Sequence, residues 1–416
     1  MHTVTLSKSK GIGGSLKHGA DSFIVKEITK NGVVLEPGRI YSAADLKEDE
    51  APHGNFVKLV MQKRNWDSVH ALQEVARRMH RGMRSVGYAG MKDKLATTVQ
   101  LVSIFGADLN AVQRIDIKDI KINGAWRSDK GIEMGDLLGN AFEITIADAA
   151  GDAEAIESIN AELGGFMPNY FDRQRFGTRL NNHKIGIHML KGEFEDAVME
   201  FLTETSNETN EAAIEARRRL AEERDFKAAL EYFPGYLRYE RSMLSYLSMH
   251  TDFINAIRKL PRGISLLFVH AVESYIFNSS VEKRIEAEDF KPDKALACSL
   301  DSHGFPDMNT VHIASGKENS LVVGNIIGYE TNEEHLSSYE KQALDELGIS
   351  KEDFKIKSMP ELSMKGAFRL VFAPFKEFSY EIGGGIARMK FSLPAGSYAT
   401  VLANEFMKNS GLELTA

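Results

Sequence analysis

At 416 residues the chain is long for one domain and suits two. An apolar fraction of 43% and a charged fraction of 26% exclude a disordered or fibrous chain, and the lone cysteine, Cys298, excludes an internal disulfide and a cysteine-based metal cluster. The net charge of −8 argues against a uniformly basic nucleic-acid binder, so any such role must rest on how charge is distributed.

The opening Met-His-Thr-Val-Thr-Leu-Ser-Lys-Ser-Lys lacks the apolar core of a signal peptide, and no apolar run reads as long enough to span a bilayer. The expectation is a soluble cytoplasmic protein. Phe23–Ile28 and Phe56–Met61 are rich in β-formers and predict strands. Residues 67–81 predict an amphipathic helix capped by Asp67, with Val69, Leu72, Val75, Ala76 and Met79 on one face and Gly82 closing it. Val86–Ala89 and Val99–Phe105 predict strands on either side of a loop around Asp93. Ala141–Ala147 predicts another strand and 152–163 a helix. Charged, helix-favouring sequence fills 193–231, and a long helix is expected near 264–287. Residues 288–320 are richer in Pro, Gly, Ser and Asp and predict loops. A helix near 334–346, strands at Phe368–Phe372 and Arg388–Leu393, and a final helix over 397–409 complete the pattern. Pattern alone allows either a cut in mid-chain or one domain inserted into another.

The charge is uneven. Residues 55–95 carry nine Lys and Arg against three acids, and residues 169–186 carry four against one. The acids gather in 193–231 and 330–346, which leaves a basic face on an acidic protein. Gly11-Ile-Gly-Gly14 resembles a phosphate loop only superficially, since no strand precedes it and the Lys-Ser/Thr ending is absent. Gly383-Gly-Gly385 reads as a turn.

The chemistry-bearing stretch is Gly87-Tyr-Ala-Gly-Met-Lys-Asp-Lys-Leu-Ala-Thr-Thr-Val-Gln100. It sets Asp93 between Lys92 and Lys94, and nearby cations favour the ionised carboxylate and lower its pKa. Such a carboxylate can act as nucleophile or base. Asn140 and Phe142, two apart on a strand, share a face and combine amide hydrogen bonding with a flat apolar surface, a pairing suited to a nucleobase or to a turn beside a core aromatic. Pro168-Asn-Tyr-Phe-Asp-Arg-Gln-Arg-Phe-Gly177 interleaves aromatics with Arg173 and Arg175, which suits RNA contact or a buried domain junction. Lys17 offers a cation and Phe23 a stacking or core ring. Phe391-Ser-Leu-Pro-Ala-Gly-Ser-Tyr-Ala-Thr400 places Ser397 and Tyr398 at a helix start, near free backbone N–H groups.

These blocks, with Gly11-Ile-Gly-Gly-Ser-Leu-Lys17, Asp21-Ser-Phe-Ile-Val-Lys-Glu27 and Leu138-Gly-Asn-Ala-Phe142, occur in the order found in the TruD family of tRNA pseudouridine synthases. The chain resembles that family almost end to end, and its archaeal branch most. Leu95 stands where many bacterial members have His, and Asp172 where Gly is common. The resemblance implies an α+β fold, with a mixed-sheet catalytic domain over 1–165 and 364–416, an inserted α/β TRUD domain over 166–363, and an RNA cleft between them. It implies a tRNA pseudouridine synthase of the uridine-13 class that needs no cofactor or metal, binds tRNA and has no obligate protein partner. Asp93 would be the catalytic carboxylate and Lys17 its basic partner. Phe142 would stack on the base, with Asn140, Phe23 and Tyr398 lining the pocket, while Lys92, Lys94, Arg173 and Arg175 would face RNA phosphates. The alternatives are a non-catalytic RNA-binding or tRNA-folding protein of the same fold, and a hydrolase releasing uracil.

Overall fold

The structure is a computed structural model that describes residues 4–17, 19–112, 114–290, 293–315 and 320–408. Its largest element is a nine-stranded mixed sheet. Across it run Lys376–Gly383, Ile386–Pro394, Leu137–Ala147, Phe23–Thr29, Thr97–Phe105, Phe56–Arg64 and Ile120–Ser128, in that order, with Ser15–Leu16 pairing to Leu137–Ala147 and Val86–Tyr88 to Thr97–Phe105. Phe23–Thr29 and Thr97–Phe105 run parallel, and the other pairs are antiparallel. The architecture is α+β, as the sequence implies.

Side chains alternate across a strand, so register decides what shares a face. Val25 lies opposite both Phe142 and Thr98, and Lys63 lies opposite Thr98. One face therefore carries Val57, Leu59 and Met61 with Val102 and Ile104, covered by Leu72, Val75 and Met79 of the helix Ser68–Arg78. The same face carries Phe23, Val25, Phe142, Ile144 and Phe391, covered by the helices Ala153–Leu163 and Ala399–Met407. Between these two apolar patches lies a polar strip of Glu27, Lys63, Thr98, Gln100 and Asn140. The site forms there.

The chain leaves this sheet through Phe166–Pro168 and returns beside it through Phe372–Pro374, the two segments pairing antiparallel. Between them, helices from Asn182 to Leu347 pack on a second core running from Ile185 to Leu362. The helix Arg262–Glu286 is long and apolar enough to cross a bilayer, which the sequence reading did not anticipate. Its most apolar window is 67% buried in the protein, as in a core helix. A four-stranded antiparallel sheet completes the region, in the order Pro306–Ser315, Asp293–Leu300, Leu321–Ile326, Ala367–Leu370.

The expected loop over 288–320 is thus corrected to a strand hairpin. Its strands contribute Leu296 and Cys298 to the core beneath the large sheet, so long-range packing overrides weak local propensity. Strands with no counterpart in the sequence reading include Ile120–Ser128, Leu321–Ile326 and Lys376–Gly383. The 193–231 run divides into Phe194–Thr203, Glu211–Glu223 and Phe226–Tyr232, capped at the last two by Asn210 and Asp225. Asp67 caps its helix as expected, accepting from the His70 N–H, but the helix ends at Arg78 and His80, not Gly82, takes the left-handed conformation. Residue 409 of the expected last helix lies outside the described residues.

Candidate active site

The Asp93 loop is pinned residue by residue. Ser68 Oγ donates to the Lys92 carbonyl at 2.8 Å and accepts from the Lys92 N–H at 3.1 Å. Lys63 Nζ donates to the Asp93 carbonyl at 2.5 Å. The Gly19 N–H donates to the Leu95 carbonyl at 3.1 Å, and the Asn65 N–H to the Ala96 carbonyl at 3.0 Å. Asp93 as a residue is open to solvent, while surrounding protein crowds its carboxyl.

Lys92 corrects an expectation. Its ammonium is buried and paired with Glu27 at 2.7 Å, and Glu27 also accepts from the Leu101 N–H at 3.0 Å. It points into the sheet, where the buried Glu27 carboxylate holds it. Lys94 is exposed. Lys17 is exposed too, tied to the sheet by its own N–H to the Thr145 carbonyl at 2.9 Å, and its ammonium forms no ion pair among the described residues. The cation that the structure sets beside Asp93 is Lys63, which the sequence reading counted only as part of a basic surface.

The expected lowering of the Asp93 pKa is also corrected. Crowding by surrounding protein pushes its carboxyl up, and the nearby Asp172 charge adds to the rise. Its own backbone N–H, Lys63 and Lys92 oppose it without reversing it. A carboxylate raised in this way is a stronger base than a free aspartate. Burial pulls Lys63 down to about 8, against a partial lift from Asp93.

Asp172 brings the Asn169–Gly177 block to the site. Its carboxylate accepts from the Arg173 N–H at 2.5 Å and from Thr400 Oγ1 at 2.6 Å, joining this block to the last helix. Arg369, absent from the sequence reading, cements the same junction. It donates to Asn169 O at 3.0 Å, Asn169 Oδ1 at 2.9 Å and Gly396 O at 2.9 Å, and lies 4.1 Å from the Phe171 ring centre. Tyr398 caps the Ala399–Met407 helix and meets Phe171 edge-on at 6.5 Å. Arg175 sits over Phe171 at 5.3 Å, and Arg173 is half-buried alongside. The block therefore lies where the last helix, the strand Ala367–Leu370 and the long helix Arg262–Glu286 meet.

Phe142 and Phe23 lie deeper than open stacking platforms. Both are 5% exposed. Phe142 stacks on Phe391 at 5.6 Å and meets Phe23 edge-on at 6.4 Å, so it floors the site as part of the core. Beside it, the side-chain oxygen of Asn140, both amide atoms of Gln100 and Thr98 Oγ1 are buried with no hydrogen-bond partner among the described residues. Such clustering is costly and uncommon.

Gly11–Gly14 proves structural. The Ile12 and Gly13 N–H groups, which a phosphate loop would aim at a ligand, donate to the Phe406 and Met407 carbonyls at 2.8 and 3.1 Å. Among the described residues, His188, Glu193 and Asp196 form a grouping compact enough for a metal ion. It lies on the surface of the helical region, and an ion pair of 2.7 Å between His188 and Glu193 accounts for it.

A family model for tRNA pseudouridine synthase D (TruD) matches residues 2–406. A Methanosarcina acetivorans protein named "Probable tRNA pseudouridine synthase D" is 32% identical over 98% of this chain and 96% of its own length. A Methanopyrus kandleri protein of the same name is 36% identical over 87% of each chain. The crystal structure of a TruD protein from Methanosarcina mazei superposes with a TM-score of 0.76 at 30% identity, covering 98% of this chain and 96% of that one.

Proposed function

The chain belongs to the TruD family of tRNA pseudouridine synthases, and from that premise we propose that it converts uridine 13 of tRNA to pseudouridine, with Asp93 as the catalytic carboxylate. The observation that carries this reading is the Asp93 loop itself, a pinned backbone presenting one open carboxylate above a sheet face with unpartnered polar atoms.

The reaction breaks the N1–C1′ bond, turns the uracil and joins C5 to C1′, while the C5 proton is lost and N1 gains one. No redox change occurs. Asp93 either adds to C1′ as a nucleophile or takes the C2′ proton to leave a glycal, and its raised pKa suits the second role as well as the first. Lys63 holds the loop and offers Asp93 a positive charge, the part that the resemblance gives to Lys17. Detached uracil needs a surface that keeps it in place. Asn140 Oδ1 is an acceptor for its N3–H, Phe142 supports the floor, and Tyr398 closes the side. Lys94, Arg173 and Arg175 are the phosphate contacts, which position the RNA without reading its sequence. We assign 1–165 with 364–416 to the catalytic domain and 166–363 to the inserted one, the cleft between them taking tRNA in the cytoplasm.

The test is Asp93→Asn. Pseudouridine in tRNA should disappear while tRNA affinity stays within about threefold, since phosphate contacts dominate affinity. Undiminished pseudouridine formation overturns the assignment. Release of free uracil by the wild type would indicate hydrolysis instead.

A further inference from the structure

Met91 and Leu95 stand two residues either side of Asp93, and both are open to solvent, at 50% and 45%. A single exposed apolar side chain is ordinary. This pair differs in how it is held. Each backbone position from Lys92 to Ala96 apart from Lys94 is hydrogen-bonded, to the 63–68 stretch or to Gly19, so the loop cannot fold its apolar side chains inward. Between them the exposed residues are Asp93 and Lys94, a reactive group and a cation. Two residues of chain span at most roughly 7 Å, so both side chains start within about one nucleotide of the carboxylate.

We infer that Met91 and Leu95 enter the gap which the target uridine leaves when it turns out of its stack. The inference rests on the pseudouridylation reading above. A uridine in folded RNA has to be extruded before its C1′ can reach a carboxylate, and the vacated step is unstacked. Apolar side chains inserted at such steps replace the lost stacking. A protein partner would want a broad apolar surface, whereas this pair is narrow, split by charge and centred on the reactive group. Met91 and Leu95 are thus positioning residues, acting on the RNA around the reacting nucleotide.

The experiment uses tRNA carrying 2-aminopurine beside the modified uridine, whose fluorescence rises when stacking is lost. Asp93→Asn protein, bound but unreactive, should raise the signal at saturation, and the same protein with Met91→Ala and Leu95→Ala should give a rise several-fold smaller. In the Asp93 background, the two alanines should slow single-turnover pseudouridine formation at saturating protein at least about tenfold, whereas Met91→Leu with Leu95 intact should keep most of the rate. Equal fluorescence in both proteins, or no rise in either, overturns the inference. A wild type that makes no pseudouridine in tRNA removes the function itself, a separate outcome. Because both side chains are exposed, an unchanged melting temperature identifies variants that fold.

Discussion

Lys63→Met separates the two roles of a buried cation. The protonated ammonium pays for its place: a shift from 10.5 to about 8 means that charging Lys63 in the fold costs about 3 kcal/mol more than in the unfolded chain. Methionine removes that cost and keeps most of the volume. It also removes the donor to the Asp93 carbonyl, a charged hydrogen bond of about 1.5–3 kcal/mol. The two nearly cancel, so the denaturation free energy at pH 7 should stay within about 1–2 kcal/mol of wild type. Turnover should not survive, because a freed loop and a missing cation misplace the carboxylate, with an expected loss of about ten- to a hundredfold. The sign with pH gives a further check. A lysine whose folded pKa is depressed contributes stability that grows between about 8 and its unfolded value, so the variant's relative stability should fall across that window. The assays are chemical denaturation at several pH values and pseudouridine formation at saturating tRNA. Wild-type turnover, or a loss explained wholly by unfolded protein, refutes the reasoning.

Asp93→Asn should melt no lower than wild type by calorimetry near neutral pH, because a raised carboxyl pKa means that ionisation costs stability there. Activity against pH should fall on the alkaline side near the Lys63 value of about 8, and that limb should be absent in Lys63→Met. Glu282, pushed up to about 7 by burial and by Glu286, loses stability as pH rises from its ordinary range to 7, so Glu282→Gln should raise the melting temperature at pH 8 and not at pH 4.

Asp93 was legible because its chemistry sits in consecutive residues. Lys92 and Lys63 were not, because their roles are decided by neighbours on other strands. A lysine beside an aspartate reads as its charge partner until Glu27, 65 residues away, claims it inside the sheet. Lys63 becomes the loop's anchor only through its register opposite Thr98. Phe142 and Phe23 allowed both readings, stacking ring and core, and alternation alone does not give depth. Arg369 carries no local signal at all; its partners are about 200 residues upstream, at Asn169 and Tyr170, and 27 residues downstream, at Gly396. Among the strands that escaped notice, Ile120–Ser128 is interrupted by Asn123 and Gly124, whereas Lys376–Gly383 alternates Phe378, Tyr380 and Ile382 with polar residues, a legible signal that was passed over.

The pairing of Leu137–Ala147 with Ile386–Pro394 sets an order on synthesis. Nine residue pairs join them, from Ile386 with Ala147 to Pro394 with Gly139. A ribosome must add roughly 230 residues between the first of these strands and the returning hairpin, which at 5–20 residues per second takes on the order of 10–45 s. Throughout that interval Ala-Phe-Glu-Ile-Thr-Ile-Ala presents a bare strand edge of the sort that recruits other chains. The helical region meanwhile has its own core and can close first. A nascent chain of this protein therefore spends its most vulnerable period with a finished helical region and half of its large sheet, and slow translation across the middle of the message should show up as aggregation rather than as lost activity per soluble molecule.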